Sequence, residues 1–209
     1  CAFSPKKYRF LQYNTKYCRK QRFCIDFVRR LCYDAGRNIP KRGNIMKVKK
    51  LVLAALFAAL AYCATLVIHI PSPIGGYLNL GDCIVLLAGW LLGPAYGAVA
   101  AGLGPALADL TLGYVAYVPG TFVIKALMAV VAYFAARAVP GKSVVKSMVS
   151  GVLAEAVMVG GYFCFEATFL GLGLGAAAGV VSNLMQALAG IICAVLVKLI
   201  LDQKNLWKW

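Results

Sequence analysis

The stretch Leu51-Val-Leu-Ala-Ala-Leu-Phe-Ala-Ala-Leu-Ala-Tyr-Cys-Ala-Thr-Leu-Val-Ile-His-Ile70 runs for twenty residues without a formal charge. About 20 apolar residues are what a helix needs to cross the ~30 Å hydrocarbon layer of a bilayer, so this segment reads as a membrane span. The rest of the chain agrees with it. Of 209 residues only 14% are charged and 62% are hydrophobic, against about 25% charged in a soluble protein. So few polar side chains cannot cover a water-facing particle of this size. Disorder is excluded on the same grounds.

Upstream of that span the composition changes. Residues 1–45 hold twelve Lys/Arg and two Asp, which is a net +10 of the +15 carried by the whole chain. Basic and aromatic residues alternate there (Lys6, Lys7, Tyr8, Arg9, Phe10) with no sustained period. One reading is a basic arm for nucleic acid or anionic lipid. The preferred one is an extension that is non-native or disordered: the chain begins with Cys1, and Met46-Lys-Val-Lys-Lys leads straight into the apolar run, as a bacterial inner-membrane protein would begin. Lys41-Arg42-Gly43 can also be encoded by a purine-rich stretch resembling a ribosome-binding site. The expected division is therefore 1–45, excluded from fold reasoning, and 46–209, the membrane domain. No nucleic-acid partner is expected.

Downstream, five more helices can be placed. Pro71-Ser-Pro-Ile-Gly-Gly cannot continue the first helix. The uncharged run from Cys83 to Ala108 is interrupted by Gly93-Pro94, giving one helix near 79–92, short for a span, and another near 95–112. Pro119 can open a fourth that reaches Arg137, and Val139-Pro140-Gly141 closes it. A fifth runs from about Ser143 to Phe169, and Gly171-Leu-Gly-Leu-Gly separates it from a sixth at about 175–201. Cytoplasmic flanks carry the Lys/Arg excess of membrane proteins. Lys47, Lys49 and Lys50 flank the first start; Arg137, Lys142 and Lys146 the 4–5 loop; Lys198, Lys204 and Lys208 the last end. Loops 70–78, 113–118 and 170–174 carry neither Lys nor Arg. The expected fold is an all-α bundle of six transmembrane helices with both termini cytoplasmic.

That orientation gives each polar residue a depth, at about 1.5 Å of rise per residue. Asn79 and Asp82 begin the second helix at the outer face, Asp109 ends the third, Lys125 lies about two turns into the fourth, and Glu166 ends the fifth. Asn183 and Gln186 enter the sixth from the same side. Polar groups inside a membrane are costly and default to functional candidates; gathered in the outer half, they describe a cavity opening outward. Glu155, Tyr162 and Glu166 recur at +7 and +4 and share one helix face, as do Asn183 and Gln186 at +3. Tyr77, Tyr114 and Tyr117 can stack on a flat ring, and aromatic walls with a few fixed polar groups suit a small heterocycle.

Blander readings stand beside these. Asp109 and Lys125 are at similar depth and can simply neutralise one another; the tyrosines can be an interfacial belt; Asp82 can be a helix N-terminal charge. Glu155 is deeper, with a structural or coupling role, and His69 reads as a loop residue. A single His and eight Cys without any Cys-x-x-Cys pair indicate neither a metal site nor a redox motif, and no cofactor is expected. Ala54/Ala58 and Ala55/Ala59 form small-xxx-small pairs that admit a close helix partner, inside the bundle or outside it. Gly93, Gly97 and Ala101 make a similar strip. Ala136-Arg-Ala-Val-Pro-Gly-Lys-Ser143 fits a relaxed phosphate-loop pattern but follows a membrane helix and contains Pro140, so it is rejected.

These residues resemble a known family, the substrate-binding S components of energy-coupling factor (ECF) vitamin transporters, riboflavin-type and related. The likeness rests on the alanine-rich first helix after a Lys-rich start, on Ile70-Pro-Ser-Pro-Ile-Gly-Gly-Tyr-Leu-Asn-Leu-Gly-Asp82, and on Leu91-Leu-Gly-Pro-Ala-Tyr-Gly97. It continues through Ala108-Asp109-Leu, Gly113-Tyr114 and Pro119-Gly-Thr-Phe-Val-Ile-Lys125, and spans about Met46 to Leu201. The resemblance implies a non-enzymatic subunit in the bacterial cell membrane that captures a vitamin or precursor from outside. Riboflavin, a pyridoxine-type vitamer and the hydroxymethylpyrimidine of thiamine all stay open. It implies partners too: a transmembrane coupling subunit, contacted through Ala54, Ala55, Ala58 and Ala59, and two ATPase subunits. The expected pocket is Asn79, Asp82, Tyr117, Lys125, Tyr162, Glu166, Asn183 and Gln186. A stand-alone proton-coupled transporter using Asp109 or Glu155 is the alternative; a membrane enzyme lacks a second histidine, a paired-aspartate signature or a nucleophile motif.

Overall fold

The computed structural model describes residues 42–67, 69–71 and 77–203. The chain divides into two compact units, Cys1–Lys47 and Val48–Trp209, and of the first only Arg42–Lys47 is described. The expectations for residues 1–41, for most of the first loop and for Lys204 and Lys208 lie outside the described residues.

Among the described residues the elements run α1 (Arg42–Val67), β1 (His69–Pro71), β2 (Tyr77–Asn79), α2 (Gly81–Leu92), α3 (Pro94–Leu112), α4 (Val118–Ala138) and α5 (Ser143–Thr168). A single 3₁₀ turn (Gly173–Ala176) then leads into α6 (Ala177–Gln203). Five helices, α1, α3, α4, α5 and α6 with its leading turn, are long and apolar enough to cross a membrane. Their outward faces are large and apolar, as Leu103, Leu107, Leu127, Phe134, Leu188, Ile192 and Leu196 show.

The helix that looked short is short for a reason. α2 has 12 residues, a rise of ~18 Å, and does not match the hydrocarbon thickness. It packs against α3, α4 and α6, and Val85, Leu86, Leu87 and Ala88 are each 3% exposed or less. A helix that is apolar all round belongs inside a bundle. The break after it falls at Gly93, whose φ of 86° with ψ of 178° only glycine adopts readily, and Pro94 then opens α3 where no N–H is required.

The described residues at both ends of the first loop are strand rather than turn. β1 and β2 form an antiparallel pair, with Ile70 opposite Leu78 and Pro71 opposite Tyr77, and this pair carries the chain from α1 into α2. On α1, Ala54, Phe57, Ala61 and Thr65 make one buried stripe at helical spacing, while Leu51, Val52, Leu56 and Leu60 face outward.

Glycine sets how closely the helices approach. A Cβ on Gly89 of α2 would stand 2.5 Å from the Ala129 carbonyl oxygen of α4, and one on Gly104 of α3 would stand 2.5 Å from the Ala58 carbonyl oxygen of α1. Both obstacles are backbone and cannot swing aside. Gly160 of α5, by contrast, looks into open space. Gly89→Val is expected to lower the unfolding midpoint in detergent, with a loss of about 1–3 kcal/mol or more from overpacking. Gly160→Ala should be neutral or gain up to about 1 kcal/mol by stiffening the helix. Equal behaviour of the two variants would contradict this packing.

Candidate functional site

One end of the bundle holds a narrow cleft of about 30 Å³. β2 contributes Tyr77 and Asn79 to its wall, the last two turns of α3 contribute Pro105 and Asp109, and the start of α4 contributes Tyr117 and Thr121. The far half of α5 adds Tyr162 and Glu166, and the opening turns of α6 add Gly179, Ser182, Asn183 and Gln186. At the opposite end, Lys198 and Asp202 of α6 form an ion pair at 3.0 Å, and the Ser143 hydroxyl of α5 donates to Asp202 at 2.6 Å.

The cleft is backed by a buried polar network that joins α2, α4 and α6. Lys125 of α4 forms an ion pair with Asp82 of α2; the two are 1% and 0% exposed. Gln186 of α6 donates from Nε2 to the second Asp82 oxygen at 2.6 Å, and its Oε1 accepts the Asn79 backbone N–H at 2.9 Å. The Asn79 side chain accepts the Gly81 N–H at 2.8 Å, an Asx turn that starts α2. Lys125 Nζ also lies 5.4 Å from the centre of the Tyr162 ring, and Tyr162 donates to the Thr121 hydroxyl at 3.0 Å. Four helices and the strand pair are thereby fixed to one another by groups that hydrocarbon would otherwise reject.

Nearer the mouth are aromatic rings and carboxylates. Tyr77 donates its hydroxyl to Asp109, and Tyr117 stands 3.4 Å from Glu166 Oε1. Burial, helped by the neighbouring Asp109, raises the Tyr77 phenol far above its usual value. Burial and then Glu166 push Tyr117 up to about 12. Both phenols therefore remain protonated donors at neutral pH. Tyr77 and Tyr114 are 5.0 Å apart between ring centres, Tyr114 and Tyr117 meet edge-on at 6.3 Å, and Phe165 continues the row from Tyr117 at 6.1 Å.

Six of the eight residues expected from depth and spacing, Asn79, Tyr117, Tyr162, Glu166, Asn183 and Gln186, line this cleft. Asp82 and Lys125 do not; they stand one layer behind it, committed to each other. The neutralising pair considered for Asp109 and Lys125 is corrected likewise: the lysine pairs with Asp82, and Asp109 takes the Tyr77 hydroxyl. Depth along a helix says nothing of azimuth, and azimuth chose the partner. Glu155 is 2% exposed and lies under the network, where a Cβ on Gly190 would stand 3.1 Å from its Oε1. His69 falls in β1. Of the four alanines on α1, Ala54 is buried, Ala58 is half-buried, and Ala55 and Ala59 are exposed.

Thr121, Ser182 and Gly179 were not singled out in the sequence. Each stands four residues before a residue that was, Lys125, Gln186 and Asn183 respectively, so helical period alone would have placed them on the same faces.

Comparison with known proteins agrees with this architecture. The family described as "ECF-type riboflavin transporter, S component" matches residues 45–203. A Pyrococcus woesei protein known as an uncharacterized protein in the gap 3′ region is 36% identical over 61% of this chain and 84% of its own length. The thiamine precursor transporter HmpT of Lactococcus lactis subsp. cremoris is 28% identical over 76% of this chain and 91% of its own. A solved structure described under "Structure and mechanism of the S component of a bacterial ECF transporter" superposes with a TM-score of 0.59 over 76% of this chain and 98% of that one. At 16% identity, that match speaks for the fold.

Removing one partner of the buried pair should be far worse than removing both. Lys125→Met leaves the buried Asp82 without its cation, a loss of about 3–5 kcal/mol, read as a lower unfolding midpoint in detergent. Adding Asp82→Asn to Lys125→Met should recover most of it. A double variant no better than the single would show that the pair does not organise this end of the bundle.

Proposed function

Since the chain belongs to the family of ECF-type riboflavin transporter S components, we propose that it captures a vitamin or vitamin precursor in the cleft and delivers it inward with partner subunits. The observation that carries this reading is the placement of polar and aromatic side chains. In a multi-pass membrane protein whose outward faces are apolar, they gather at one end around one opening. Aromatic rings beside a few fixed polar groups are a common lining of small-molecule sites.

The cleft is the outward end. Lys49, Lys50, Lys142, Lys146 and Lys198 belong to the other end, where positive charge marks the cytoplasm, and both termini are then cytoplasmic in a bacterial cell membrane. Asn79, Tyr117, Tyr162, Glu166, Asn183 and Gln186 contact the vitamin, with Asp82 and Lys125 holding their positions. Riboflavin, pyridoxine-type vitamers and hydroxymethylpyrimidine remain candidates; the similarity to a thiamine precursor transporter puts the pyrimidine first.

Nothing in the cleft resembles a nucleotide-hydrolysing site, so energy comes from outside the chain, from a transmembrane coupling subunit and two ATPase subunits. The docking surface on α1 is carried by Ala55 and Ala59, the exposed members of the alanine set. A second reading, a stand-alone proton-coupled carrier, is favoured by one observation: both Glu155 carboxylate oxygens are buried without a hydrogen-bond partner among the described residues.

Proteoliposomes separate the two. The chain alone should bind a vitamin without accumulating it, and uptake should need the coupling and ATPase subunits with ATP. Uptake by the chain alone under a proton gradient would replace the first reading with the second. Ala59→Trp is expected to cut coupled uptake at least about tenfold while leaving the vitamin's Kd unchanged, since a bulky ring there blocks close helix approach. A tag on the carboxy terminus should be inaccessible from outside intact cells.

A further inference from the structure

The cleft carries two acidic side chains that its protein neighbours leave half satisfied. Asp109 and Glu166 both line it, each is 3% exposed, and each has one carboxylate oxygen, Oδ2 and Oε2 respectively, without a hydrogen-bond partner among the described residues. Their other oxygens face Tyr77 and Tyr117. Neither Lys nor Arg is among the lining residues, and the buried lysine close behind them, Lys125, is engaged by Asp82. A buried acceptor left unpaired costs about 1–3 kcal/mol or more when charged, so these oxygens mark positions that a guest is meant to fill.

Resting on the vitamin-capture reading, we propose that the cleft selects a neutral or cationic heterocycle that presents N–H or O–H donors to Asp109 Oδ2 and Glu166 Oε2, and that it rejects anionic relatives such as phosphate esters. A carboxylate accepts only; it rewards an amino or hydroxyl group with a charge-assisted bond. No lining side chain is a cation that could neutralise a phosphate, and Lys125 behind the carboxylates is already held by Asp82. The Tyr77 and Tyr117 rings of the lining take the ring face, so face and edge of the guest are read by different parts of the wall. A site built to pair a donor discriminates sharply against the analogue that lacks it.

The test uses the purified full chain in detergent with four probes: hydroxymethylpyrimidine, its phosphate ester, riboflavin and riboflavin phosphate. At least one unphosphorylated probe should bind, and its phosphate ester should bind at least about 100-fold more weakly. Glu166→Gln and Asp109→Asn keep shape but remove acceptor charge, and each should weaken the bound probe at least about tenfold, with an unfolding midpoint near wild type showing that the fold persists. Should one of them fail to fold, the other still decides the matter. Equal affinity for a probe and its phosphate ester, or unchanged affinity in both variants, overturns the donor-edge proposal while vitamin capture stands. Failure of all four probes to bind the folded wild-type chain instead removes vitamin capture itself, and this proposal with it.

Discussion

The fold turns on one ion pair that lipid cannot tolerate unpaired. Asp82 and Lys125 are essentially without solvent exposure, on different helices, in a protein whose outer surface is apolar. Left alone, either would have to be neutralised or hydrated at a cost of several kcal/mol. Together they fix the azimuths of α2 and α4, and Gln186 extends the constraint to α6 through the second Asp82 oxygen. Because Gln186 also accepts the Asn79 N–H, the strand pair is drawn in, and the cleft inherits a wall that cannot slide.

Close packing makes that network possible. Gly190 lies so near Asp82 that a Cβ would stand 2.9 Å from the aspartate Cβ, so α6 can bring Gln186 within reach only because it carries no side chain there. Gly89 and Gly104 do the same for the α2–α4 and α3–α1 approaches. Where helices gain little from hydrophobic burial against one another, small residues and satisfied polar groups supply the association. The same geometry divides labour within the site. A fixed polar base holds position, while Tyr77 and Tyr117, contributed by segments next to the helices, add aromatic rings to the lining.

Much of this was legible from residue order. Proline and glycine positions placed the helix breaks to within a few residues, because their backbone restrictions act locally. The shortness of α2 was visible in the distance from Asn79 to Gly93, but its largely buried position among α3, α4 and α6 was not. The strand pairing of His69–Pro71 with Tyr77–Asn79 was read only as a proline-rich turn. Asp82 and Lys125 stood out as costly groups, yet their partnership with each other did not; Asp109 seemed the equal candidate at the same depth.

By itself, the sequence determined that the chain is a membrane protein, where its helices break, and that its polar groups lie towards one end. Each of these follows from hydropathy, backbone stereochemistry or rise per residue, which are properties of consecutive residues. Only the tertiary structure decided which polar groups pair and which are left to face the cleft. That depends on the rotation of each helix about its own axis, and rotation is set by glycine contacts and buried hydrogen bonds between residues as far apart as Asp82 and Gln186.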